Sequence, residues 1–141
     1  MQTTFSIKRS SPDGEPPAPH YREYTLDLDD SSTVLDGLIK IREEVDGTLA
    51  LRCSCRSAIC GSCAMRINGH AALACNTKVV DATSGDGAPI VVEPAGNMQI
   101  IRDLVVNFGS FWDKIGAVDP CLRHEGPDPE HEYLAPNEAM L

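Results

Sequence analysis

Four cysteines, Cys55, Cys60, Cys63 and Cys75, follow the spacing C-x4-C-x2-C-x11-C inside the stretch Arg52 to Asn76, which holds five of the chain's six cysteines. Thiols this closely spaced constrain the fold more than any other feature. One tight loop has to present the first three, and a returning segment has to bring the fourth beside them. The start of the chain, Met-Gln-Thr-Thr-Phe-Ser-Ile-Lys, lacks a basic region followed by an apolar one. No run reaches the roughly 18 to 20 apolar residues of a membrane span. The expectation is a protein on the cytoplasmic side, neither exported nor membrane-crossing, where clustered thiols serve as metal ligands or redox groups rather than as structural disulfides.

A chain of 141 residues with 42% apolar content makes one ordinary domain, or one domain and the beginning of another. A formal charge of −9 argues against a nucleic-acid partner, since no basic stripe is available for phosphates. The charge is unevenly spread. Residues 51–80 carry Arg52, Arg56, Arg66 and Lys78 with no acid, whereas residues 107–141 carry seven acids against Lys114 and Arg123.

Alternating apolar residues predict a strand over residues 3–8, with Phe5 and Ile7 on one side. A second strand is predicted from Tyr21 to Asp29, with Tyr24, Leu26 and Leu28. The proline-rich segment from Ser10 to His20 between them reads as a loop, so the two form a hairpin. Ser31, Ser32 and Thr33 offer capping oxygens ahead of Val34, Leu38, Ile41 and Val45, widened by Leu35 and Ile39. That pattern predicts an amphipathic helix of about three turns, stopped by Asp46-Gly47.

Thr48 to Arg52 is expected as a strand leading into the cysteines. Ala64–Ile67 and Ala71–Ala74 then form a hairpin about Asn68-Gly69. Thr83 to Ala88 reads as a loop and Pro89 to Glu93 as a buried strand. Ile100, Ile101, Leu104 and Val105 suggest a short helix, followed by an aromatic segment through Phe108, Phe111, Trp112, Ile115 and Val118 that serves packing or an interface. Leu122 to Leu141 resembles an acidic linker, in which Asn137 to Leu141 could begin a helix.

Four thiolates suit zinc or iron-sulfur alike, so number alone does not decide. Spacing separates them. Zinc sites usually pair two C-x2-C knuckles, and here only Cys60 and Cys63 form one, whereas C-x4-C-x2-C matches the plant-type 2Fe-2S run. The neighbours favour the more anionic group. Two ferric ions, two sulfides and four thiolates sum to −2, and one-electron reduction makes −3, so carboxylates close by would oppose reduction. None occurs between Thr48 and Val80. Ser57, Ala58, Gly61 and Ser62 are small enough to let backbone amides approach the sulfurs.

Cys53 is read as a bystander, because using it would lengthen the first interval and lose the motif, and Cys121 as a free thiol. His70 lacks the second histidine of a Rieske-type centre and reads as a solvated turn residue; His20, His124 and His131 fall in loops. No nucleophile and base pair and no phosphate-binding loop are evident, so the chain by itself is not expected to transform an organic substrate.

The run Ser54-Cys55-Arg56, Ile59-Cys60-Gly61-Ser62-Cys63-Ala64-Met65, Ile67-Asn68-Gly69 and Leu73-Ala74-Cys75 resembles the N-terminal half of the iron-sulfur subunit of succinate dehydrogenase and fumarate reductase. Weaker echoes at Leu35, Asp46-Gly47-Thr48, Val92-Glu93-Pro94 and Arg102-Asp103-Leu104-Val105 extend the likeness over nearly the whole chain. The resemblance implies an α+β fold, a β-grasp domain of the plant-type 2Fe-2S ferredoxin kind. In it Cys55 and Cys60 hold one iron, and Cys63 and Cys75 the other.

The resemblance further implies a one-electron relay of the respiratory chain and tricarboxylic acid cycle. Electrons pass from a flavoprotein (FAD) subunit through this cluster to 4Fe-4S and 3Fe-4S clusters of a C-terminal domain, and on to quinone at membrane-anchor subunits. The chain would then lie peripherally on the cytoplasmic face of the cell membrane, held through its partners. The C-x2-C-x2-C runs of that C-terminal domain do not occur before Leu141, which is expected of a fragment: residues 1–106 as the 2Fe-2S domain, and 107–141 as a helix and linker starting the next. Cys53 is an addition to the family pattern. Rival readings are a free-standing 2Fe-2S ferredoxin, the fumarate reductase direction, the small subunit of a molybdenum hydroxylase, and a zinc-stabilised interaction module.

Overall fold

The computed structural model describes residues 1–10, 19–83 and 87–120. The interior of the proline-rich segment, the tail after Pro120 with Cys121, His124 and His131, and the helix suggested at 137–141 lie outside the described residues.

Strand β1 (Gln2–Arg9) alternates so that Thr3, Phe5, Ile7 and Arg9 share one face, and all four are buried. It pairs antiparallel with β2 (His20–Asp27) along its whole length, from Gln2 opposite Asp27 to Arg9 opposite His20. The expected hairpin strands are therefore present, with His20 inside the second one rather than in a loop.

Helix α1 (Val34–Lys40) starts at a reciprocal cap: Thr33 Oγ1 accepts from Asp36 N at 3.2 Å and Asp36 Oδ2 accepts from Thr33 N at 2.9 Å. The helix continues through Ile41–Val45 in a wider π-type turn closed by Asp46 N donating to Ile41 O at 2.7 Å. The wider turn corrects one expectation. The added residue takes Val45 off the apolar stripe, leaving it 57% exposed, and swings Asp46 inward. Gly37 sits where α1 crosses β1; a Cβ there would come within 2.4 Å of the Phe5 ring.

Strand β3 (Ala64–Ile67) and strand β4 (His70–Leu73) form the second hairpin, with Asn68 at φ 49° and Gly69 at φ 81°. Two consecutive positive φ values define the tight turn that Asn-Gly predicts. A short helix α2 (Val79–Ala82), not anticipated from the pattern, leads towards β5 (Ile90–Pro94). Strand β5 enters the middle of the sheet, parallel to β1 and antiparallel to β3, in the order β2-β1-β5-β3-β4. Phe5, Ile7, Val34, Leu35, Leu38, Ile41, Ile90 and Val92 are fully buried between the sheet and α1. Each contributes about 1.5–3 kcal/mol of burial, which makes this layer the scaffold. A mixed five-stranded sheet under one main helix agrees with the α+β, β-grasp expectation.

Two local expectations fail. Thr48 to Arg52 is not a strand: Ala50 N donates to the Asp103 carboxylate instead of to a neighbouring strand, and Leu104 N donates to Ala50 O. Residues 100–105 are not helical but form a hairpin, β6 (Ile100–Arg102) and β7 (Val105–Val106). Asp103 takes φ 46° in its turn, and the β-branched pair Ile100-Ile101 suits a strand. The aromatic segment is helix α3 (Gly109–Val118), which buries none of its residues. Among the described residues, no helix is long and apolar enough to cross a membrane.

Candidate metal centre

The loop after Arg52 is shaped by backbone conformation. Arg56 (φ 55°), Ala58 (φ 58°) and Gly61 (φ 71°) all lie in the left-handed region. For the two non-glycines that conformation costs on the order of 1–2 kcal/mol each, so the loop trades stability for direction. Its amides turn onto sulfur. Ser57 N and Cys60 N donate to Cys55 Sγ at 3.4 and 3.3 Å, and Ala58 N donates to Cys75 Sγ at 3.4 Å across 17 residues. Such donors stabilise thiolates and the anionic centre they would bind.

The fourth thiol reaches the loop because β4 leads into the turn Ala74–Asn76, with Ala74 N donating to Cys63 O at 3.2 Å. The far side of that turn is held as well. Val34 N donates to Thr77 O, and Val79 N to Ser32 O, so the start of α1 clamps the chain just past Cys75.

The four thiols sit in graded surroundings. Cys63 is buried at 3% exposure, Cys55 and Cys75 are half-buried, and Cys60 is exposed. Ser62 Oγ lies 3.0 Å from Cys60 Sγ and, with the nearby Cys55 and Ser62 backbone, holds the Cys60 thiol down at about 6. Burial pushes the Cys63 thiol up, with the adjacent Cys75 acting on it as well. Cys60 thus neighbours Cys55, and Cys63 neighbours Cys75.

Among the described residues, no three His, Cys, Asp or Glu side chains are gathered closely enough to hold a metal ion. The soft thiol set with inward amides suits iron-sulfur chemistry, in which a diiron core divides four thiolates two to an iron. Cys53 is half-buried and packed against the core beside Leu51. His70 opens β4 as an exposed residue.

Two supports of this loop escape the motif. Arg9, at the end of β1, donates through Nε to Asp103 Oδ1 at 3.0 Å and through Nη1 to Asp46 Oδ2 at 2.7 Å. Tyr24 and Thr48 hydroxyls also donate to Asp46. This buried set fixes the segment from Asp46 to Ala50 that delivers the chain to Cys55. Only the strand alternation that puts Arg9 on the face of Phe5 and Ile7 signals it. The second support is Arg52, whose Nη1 donates to Val106 O at 2.9 Å while its guanidinium lies 5.5 Å from the Phe108 ring centroid.

The sequence pattern of the 2Fe-2S iron-sulfur cluster binding domain family matches residues 4–113. The chain is 42% identical over 128 residues to the mitochondrial succinate dehydrogenase (ubiquinone) iron-sulfur subunit 1 of Oryza sativa subsp. japonica, covering 90% of this chain and 44% of that protein. It is 44% identical over 127 residues to the fumarate reductase iron-sulfur subunit of Mycobacterium tuberculosis, covering 89% of this chain and 50% of that protein. The chain therefore spans about half the length of these curated relatives. Among solved structures, the Mycobacterium smegmatis Sdh1 complex in the apo form superposes with a TM-score of 0.78 at 24% identity, over 97% of this chain and 54% of that one, a likeness of fold.

Proposed function

The chain belongs to the family of 2Fe-2S iron-sulfur cluster binding domains, and on that premise we propose that Cys55, Cys60, Cys63 and Cys75 hold a 2Fe-2S cluster. Cys55 and Cys60 serve one iron, and Cys63 and Cys75 the other. The observation that carries this reading is the meeting of two chain segments on sulfur: amides of one loop donate to Cys55 Sγ and to Cys75 Sγ, though the two thiols are 20 positions apart. When bound, such a cluster accepts and releases one electron at a time.

The residues of this chain do the rest. Left-handed Arg56, Ala58 and Gly61 aim amides at the sulfurs, and Arg9 with Asp103 and Asp46 holds the approach to the loop. The acid-free stretch from Thr48 to Val80 avoids opposing an added electron. We place this domain as the electron-transfer part of a succinate dehydrogenase. It takes electrons from a flavoprotein (FAD) subunit and passes them towards 4Fe-4S and 3Fe-4S clusters and quinone. Membrane-anchor subunits would hold the complex at the cytoplasmic face of the cell membrane. In that arrangement residues 1–106 form the cluster domain and residues 107–141 lead into a second one. The similarity to the Mycobacterium tuberculosis fumarate reductase subunit supports the reverse direction as a second reading.

Anaerobically purified protein should be coloured, contain two irons and two labile sulfides per chain, and give a one-electron EPR signal after reduction. A colourless protein with one zinc ion would end the relay reading. Co-purification with a flavoprotein separates the complex from a free-standing ferredoxin, and quinone reduction by succinate against fumarate reduction by quinol assigns the direction.

A further inference from the structure

Helix α3 and the cysteine loop enclose a groove of about 390 Å³ lined by Arg52, Cys60, Gly61, Ser62, Phe108, Phe111 and Trp112. Its aromatic wall is built edge to face: Phe108 and Phe111 centroids are 6.2 Å apart, Phe111 and Trp112 centroids 5.1 Å. The only basic residue in the lining is Arg52. No ion pair engages it among the described residues. It is nonetheless held in place. The Val106 carbonyl takes one guanidinium nitrogen at 2.9 Å, and the Phe108 ring lies 5.5 Å from the guanidinium carbon.

We propose that Arg52 is a positioned cation that raises the reduction potential of the centre held by Cys55, Cys60, Cys63 and Cys75, with the Val106 carbonyl and the Phe108 ring keeping it beside Cys60. This rests on the function proposed above. Reduction adds one electron, supplied by the flavin donor, and takes the formal charge from −2 to −3. A fixed positive charge on the rim stabilises the second state more than the first, so it favours reduction. Two features separate Arg52 from the other arginines of the region. Arg56 does not line this groove, and Arg66 donates to Gly69 O at 3.2 Å on the hairpin, outside it. The seat also links potential to helix α3, because Phe108 is the residue from which that helix starts.

The test is a mediated potentiometric titration of the full chain carrying its cluster, followed by EPR. For Arg52→Gln, the reduced-to-oxidised ratio at a fixed solution potential should fall by about threefold to tenfold, a tenfold change being 59 mV for one electron. Iron and sulfide content should stay at the wild-type level. Arg66→Gln makes the same change in net charge and should shift the ratio clearly less. Raising the salt should narrow the gap between Arg52→Gln and wild type, since an exposed charge is screened.

Phe108→Leu keeps the charge and loosens its seat, and should shift the ratio in the same direction by a smaller amount. An unchanged ratio in Arg52→Gln, or a shift equal to that of Arg66→Gln, overturns the assignment. If Arg52→Gln assembles no cluster, Phe108→Leu decides it, and a wild-type ratio in that variant overturns it. A wild-type protein without iron-sulfur absorbance overturns the underlying relay reading instead, so the two failures are distinguishable.

Discussion

Arg9 and Asp103 stand 94 residues apart in the chain, yet Arg9 Nε meets Asp103 Oδ1 at 3.0 Å with both side chains buried. The pair ties the end of β1 to the turn between β6 and β7. The second Asp103 oxygen accepts from Ala50 N at 2.9 Å, so the approach to the cysteine loop hangs on the same carboxylate. Hydrogen bonds to Asp103 and Asp46 hold the Arg9 guanidinium firmly protonated in spite of its burial.

Asp103→Asn keeps the size of the side chain and tolerates the positive φ of the turn, but it removes the charge and one acceptor, turning an NH2 toward either Arg9 Nε or Ala50 N. Asp46 remains to pair Arg9, which limits the loss to about 1–3 kcal/mol. Urea denaturation should show a lower midpoint with an unchanged slope. A midpoint equal to the wild type would mean that the pair does not stabilise the fold.

Asp46 carries a pH dependence. Burial by itself would raise its carboxyl, but hydrogen bonds from Thr48, Tyr24 and Arg9 outweigh it and hold the group well below the ordinary value of 3.8. A group depressed in the folded state stabilises it fully above the unfolded value, and that stability is lost as pH falls through 3.8 towards the folded value. Asp46→Asn should therefore flatten the fall of stability with pH below about 4. Denaturation midpoints measured from pH 6 down to pH 2 check this, and parallel curves for the two proteins would refute it.

Gly37 has no room for a methyl group against the Phe5 ring. Gly37→Ala should destabilise the fold by about 1–3 kcal/mol through overpacking. Adding Phe5→Leu should make the alanine less harmful than it is alone, a coupling that a double-mutant cycle measures. Purely additive effects would remove the contact as the cause.

The four-thiol assignment separates Cys60 from Cys53. Cys60→Ser should lose or distort the cluster, seen as reduced iron and sulfide content and altered visible absorption, because oxygen replaces one soft ligand. Cys53→Ser, against the core, should keep the cluster. Unchanged spectra in the first variant would refute the ligand set.

Local elements were readable wherever residues alternate or repeat at a fixed period. The β1–β2 hairpin, the start of α1 at Thr33 and the Asn68-Gly69 turn follow from side-chain periodicity, a capping oxygen and two tolerated positive φ values, all properties of neighbouring residues. Residues 100–105 were misread because an apolar pair followed by Leu-Val fits a short helix as well as a strand. Asp103 in the left-handed conformation, closed by a partner 94 positions away, settles it as a hairpin. Thr48 to Arg52 has the composition of a strand, but its backbone meets a carboxylate and a turn instead of a strand edge.

The sequence alone determined the spacing C-x4-C-x2-C-x11-C, the absence of acids from Thr48 to Val80 and the alternation that builds the sheet. These are fixed by covalent order and by charge count, so no fold can alter them. Tertiary structure alone decided which amides point at Cys55 and Cys75, that Asp46 turns inward while Val45 turns out, and that Arg52 rests against Val106 and Phe108 in a groove that Cys60 also lines. Each of these depends on contacts between segments distant in the chain, whose partners are chosen by packing and by the need to pair buried charge.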